Sequence, residues 1–60
     1  MNVTEGSKWV SPENKQFHVI HVVEVEGHTW VHYISDDTQA KEYSCYIESF
    51  LQRFTPHINA

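Results

Sequence analysis

Sixty residues with one cysteine, Cys45, make a single small domain that can form no intrachain disulfide. A chain of this length buries only about 60% of the surface its unfolded form exposes, so its core has little margin. The formal charge is −4, and the four basic residues, Lys8, Lys15, Lys41 and Arg53, form no run. Nucleic-acid binding built on clustered cations is therefore not expected. No apolar run approaches membrane-spanning length, and MNVTEGSKWV lacks the apolar core of a signal peptide. Cytoplasmic residence without membrane contact is the expectation.

In chain order, residues 1–6 read as a loose lead-in to a domain covering 1–60. Ser7 to Val10 forms a short strand, stopped by the turn sequence Ser11-Pro12-Glu13-Asn14. Gln16 to Val25, rich in Val and Ile, is a long strand, and His28 to Ser35 returns from it across Glu26-Gly27. Asp36 to Gln39 makes a polar turn before a fourth strand, Lys41 to Cys45 or Tyr46. The spacing then changes: Ile47, Phe50, Leu51 and Phe54 fall on one helix face. This predicts a short helix or 3₁₀ turn from about Ile47 to Arg53, ended by Thr55-Pro56. His57-Ile58-Asn59 can add a last edge strand or fray.

Both faces of the central hairpin carry apolar residues, which implies a bent strand serving two sheet layers. The predicted fold is mainly β, a small SH3-like antiparallel barrel of four to five strands plugged by the helical segment. An open antiparallel sheet with that segment packed across one side is the alternative.

Four of the five histidines lie in the hairpin, and their roles depend on its register. A two-residue loop at Glu26-Gly27 pairs Val25 with His28, Val23 with Trp30 and His21 with His32. A three-residue turn with Gly27 as a bulge shifts this by one, pairing Val22 with Trp30 and Val19 with Tyr33. The second is preferred, because Val-Glu-Gly is not a favoured tight-turn sequence. It gathers Phe17, Val19, Val23, Val31 and Tyr33 on the core face and puts His18, His28 and His32 on the other. His21 alone turns inward.

Strand spacing also argues against a metal site. Residues three apart face opposite sides, and residues four apart are separated by about 13 Å, so His18/His21 and His28/His32 do not converge as zinc ligands must. No cofactor is expected. Nor is catalysis: no nucleophile elbow or phosphate-cradling glycine loop is present, and Cys45 between tyrosines reads as a small apolar residue.

Four sets of residues carry a resemblance: Gly6 with Trp9; Phe17 with Val19 and Val22; Val31 with Tyr33; and Cys45 with Phe50 and Phe54. In their order the chain resembles short, uncharacterised proteins of enterobacterial phages and prophages. The run Phe50-Leu51-Gln52-Arg53-Phe54-Thr55 is its most specific part, and the resemblance spans about fifty residues. It implies a small SH3-like barrel and an accessory role in a host cytoplasm, with no activity attached.

The functional expectation is a non-enzymatic interaction module that inhibits or regulates a host or phage protein. Its contact surface would draw on Trp30, Tyr43, Tyr46 and Trp9, with His18, His28 and His32 alongside. Trp9 and Trp30 can equally cap the barrel ends. A single-stranded nucleic-acid binder is the alternative, since aromatics on a small barrel stack bases. An exposed Trp30–Ile34 face would also suit a homodimer.

Overall fold

The computed structural model describes residues 3–37 and 41–57. Among these, five strands form one antiparallel sheet: β1 (Lys8–Val10), β2 (Gln16–Val25), β3 (His28–Ser35), β4 (Glu42–Tyr46) and β5 (Thr55–Pro56). One short helix, α1 (Ile47–Arg53), precedes β5. The strand order is β4-β3-β2-β1-β5, so the chain meanders through four strands, crosses by α1 and returns beside β1. This is the small mainly β, barrel-like fold that the strand pattern and the late helical spacing predict.

The core lies between the sheet and α1. Phe50, Phe54, Trp9, Val19, Val31, Tyr33 and Val3 are buried there. Phe50 packs edge-on against Trp9 at 5.0 Å between centroids, stacks on Phe54 at 4.6 Å and meets Tyr33 at 5.3 Å. Phe17 closes the cluster against Phe54 and Tyr33. Edge-on and stacked contacts of this kind suit the ring quadrupoles and concentrate burial in few residues. A seven-residue helix with no side-chain cap is not stable by itself, so this packing holds α1 in place.

Trp9 is only 2% exposed, and its indole N–H donates to Ser7 Oγ at 2.8 Å. It is a core residue and not part of a contact surface, because β1 lies between β2 and β5 and turns this side chain toward Phe50. The lead-in is also tied down from Val3 onward. Val3 is buried, Gly6 N–H donates to the Val19 carbonyl, and Val19 N–H donates to that of Ser7. The last strand is Thr55–Pro56, earlier than the expected edge; Ile58 and Asn59 lie outside the described residues, as do Thr38 and Gln39 of the polar turn.

The hairpin corrects the preferred register. Val25 pairs with His28, Glu24 with Thr29, Val23 with Trp30 and His21 with His32, around a two-residue turn. Glu26 and Gly27 both adopt positive φ, 52° and 81°, as a type I′ turn requires. The one-residue shift exists, but it lies inside β2: the register slips between Val19 and His21, so Ile20 is a bulge and Val19 pairs with Tyr33. Each candidate register therefore describes half of the hairpin. A bulge bends its strand, and β2 pairs with β1 only on the Gln16–His18 side of it.

Candidate functional site

The pairing puts a continuous set of side chains on the sheet face away from α1. Val23 faces Trp30, Val25 faces His28, and Trp30 faces Tyr46 on β4. The His28 and Tyr46 rings stack at 5.0 Å and 26°, and Trp30 leans on Tyr46 at 4.5 Å. Val23, Val25 and Tyr46 are 40%, 51% and 41% exposed. So Trp30, His28 and Tyr46, three of the residues singled out from sequence, form one outward aromatic group, with two exposed valines that sequence reasoning did not include. The apolar content on both faces of β2 does not mark a second buried layer here; on the outer face it is left open.

The other histidines extend this face toward the opposite end of the hairpin, each beside a carboxylate. His18 Nδ1 lies 2.6 Å from Asp36 Oδ1, and Lys8 Nζ is 3.4 Å from Asp36 Oδ2. An ionised carboxylate only accepts, so the ring nitrogen donates. This hydrogen bond holds the Asp36 carboxyl below its ordinary range; partial burial opposes the shift and the Lys8 charge assists it. His32 Nδ1 lies 3.0 Å from Glu42 Oε2, and His21 Nδ1 lies 3.7 Å from Glu5 Oε2. His21 is not turned inward. The bulge at Ile20 places it opposite His32 with its side chain 65% exposed.

Tyr43, also expected on the contact surface, belongs to the other side of the sheet. It stacks on Tyr33 at 5.5 Å and 17° and meets Phe17 edge-on. Its exposed flank forms part of an open groove of about 240 Å³. Phe17, Tyr33, Tyr43 and Phe54 form the groove's ring surface, and Ser11, Glu13, Lys15 and Arg53 stand around it. The sequence carries one signal for this groove, the pairing of Lys41-x-Tyr43 with Arg53-Phe54, but only the fold shows that these pairs share a wall.

Cys45 is half-buried, and burial pushes its thiol up, so it is a poor source of thiolate near neutral pH. Burial likewise raises the neighbouring Tyr33 phenol, with the Cys45 charge adding to it. Among the described residues, no group of three or more His, Cys, Asp or Glu side chains stands close enough to hold a metal ion. Among the same residues, no helix is long and apolar enough to cross a membrane. No protein-family model, curated protein or solved structure matches the chain.

Proposed function

We propose that this protein is a small protein-interaction module whose docking face is the outer side of β2, β3 and β4 around Trp30 and Tyr46. One observation carries this reading: a chain with so little core leaves Val23, Val25 and Tyr46 half-exposed on a single face, beside Trp30. Contiguous apolar surface of this kind is costly in water and marks interaction sites. Trp and Tyr supply large rigid contacts at binding hot spots.

The charge around the face indicates the chemistry of the partner. Glu42 and Glu5 stand beside His32 and His21 on this face, Glu26 lies in the adjoining turn, and Lys8, which shares the face opposite His18, is already bound to Asp36. A partner with an apolar centre and a basic rim is complementary to such a surface. This fits an accessory or regulatory role in which the chain covers a site on a host or phage protein.

Capture from the cytosol of the source cell tests the reading, using the parent protein and the double variant Trp30→Ser/Tyr46→Ser. A basic protein retained by the parent and lost by a folded variant supports it. Equal capture by both overturns it. So does tight, salt-sensitive binding of single-stranded oligonucleotides to Trp30 and Tyr46, which would place base stacking there instead.

A further inference from the structure

Three of the chain's four basic side chains, Lys15, Lys41 and Arg53, gather around the groove on the α1 side of the sheet. Lys15 and Arg53 line it directly. Lys41 Nζ sits 5.3 Å from the centre of the Tyr43 ring, and the Arg53 guanidinium carbon 5.9 Å from that of Phe54; both rings belong to the groove. Lys8, the remaining cation, is bound to Asp36. By contrast, Lys15, Lys41 and Arg53 have no carboxylate within 4.0 Å among the described residues. An acidic protein thus gathers three cations, without an ion-pair partner among the described residues, around one aromatic concavity, while Lys8 on the opposite sheet face is paired with Asp36.

We infer that this groove is a second binding site and that it takes an acidic peptide segment. Its volume of about 240 Å³ is below the roughly 300–1,000 Å³ of sites for drug-sized ligands, so it suits an apolar side chain rather than a whole cofactor. That side chain lies against Phe17, Tyr33, Tyr43 and Phe54. The carboxylates flanking it in the peptide reach Lys15, Arg53 and Lys41. Arg53 can take a carboxylate through two parallel N–H donors, and Lys15 and Lys41 act as point charges. Resting over ring faces, Lys41 and Arg53 are held along the groove wall before a ligand arrives. Glu13, the one carboxylate at the mouth among the described residues, repels a continuous polyanion but leaves room for isolated carboxylates. The site stands on observations separate from those on the outer face.

An NMR titration of the isotope-labelled chain tests the site with the peptide acetyl-Gly-Glu-Leu-Glu-Gly-amide. Saturable shifts at Ser11, Tyr43 and Phe54 are expected, weakening as sodium chloride is added. The Gln counterpart of the peptide should give no saturable shift. Lys15→Gln/Arg53→Gln, both at exposed positions, should bind about five- to tenfold more weakly with an unchanged melting temperature. The outer-face variant Trp30→Ser/Tyr46→Ser should bind like the parent. Equal response to the Glu and Gln peptides, shifts centred on Trp30, or absence of saturable binding would each overturn the inference. Oligothymidylate binding at the groove in place of the peptide would do the same.

Discussion

Val19 lies directly opposite Tyr33, although two residues further along β2 His21 lies opposite His32. Ile20, between them, has no partner on β3, and this one extra residue sets what each half of β2 does. Before it, Phe17 and Val19 deliver apolar groups to the core beside Tyr33. After it, His21, Val23 and Val25 stand exposed on the outer face. Core and candidate docking face therefore share one strand, joined at a bulge.

The turn at the far end of this hairpin carries local strain. Glu26 has φ 52°, a left-handed conformation that a side chain with a Cβ disfavours and that Asn tolerates. Asn-Gly is the preferred pair for such a turn. Glu26→Asn should stabilise the domain by about 0.5–1 kcal/mol, a rise of roughly 4 °C or more in melting temperature. An unchanged or lower melting temperature would show that the turn is not strained in this way.

Phe50 is fully buried and touches the rings of Trp9 on β1, Tyr33 on β3 and Phe54 just after its own helix. Phe50→Ala should cost about 3–5 kcal/mol, comparable to the whole stability of so small a domain. Circular dichroism should show the variant largely unfolded at room temperature. A melt within a few degrees of the parent would mean that α1 does not plug the sheet.

Asp36 predicts how the fold responds to acid. Its folded carboxyl is held below its unfolded value, first by the His18 hydrogen bond, so ionisation favours the folded state. That contribution is complete above the unfolded value of about 4 and is lost as pH falls through the lower folded value. Asp36→Asn should therefore lower stability at neutral pH and flatten the acid loss below about pH 4. Melting temperatures measured from neutral to acid pH check this. Parallel curves for parent and variant would contradict it.

Much of this architecture is readable from residue spacing. The Val/Ile run of β2 and the Ile47, Phe50, Leu51, Phe54 face mark their elements within a residue, because each periodicity extends over enough positions to be unambiguous. The register was not readable. A bulge adds one unpaired residue without any special residue type, and Ile20 looks like its neighbours. Glu26-Gly27 likewise folds as a tight turn although its sequence does not favour one, since the ladder on both sides outweighs the local cost at Glu26. Those two features decide the direction of His21, Val22 and Val23, and without them residue spacing places His21 inside and Val23 in the core. Trp30, His28 and Tyr46 could be picked out as aromatic strand residues, but their stacking depends on pairings across three strands. The groove was hidden for a similar reason: Lys15, Lys41 and Arg53 are scattered in sequence and meet only around the folded sheet and helix.

If the outer face is kept for contact, it should matter little to folding. Trp30→Ser/Tyr46→Ser should remain folded with a urea midpoint close to the parent's, unlike Phe50→Ala, since Tyr46 is 41% exposed and neither residue belongs to the buried cluster. Urea denaturation of the parent and the double variant checks this. A loss as large as that of Phe50→Ala would assign the pair to the core.

Site-specific photo-crosslinking in the source cell tests the docking face most directly. A benzophenone amino acid replaces Val25 on the outer face or, as a control, the exposed Gln52 on α1. The predicted result is one discrete adduct with a basic protein from position 25, absent from position 52 and abolished by Trp30→Ser/Tyr46→Ser. Absence of an adduct at position 25, or one that persists in the double variant, would contradict a docking role for the Trp30–Tyr46 face.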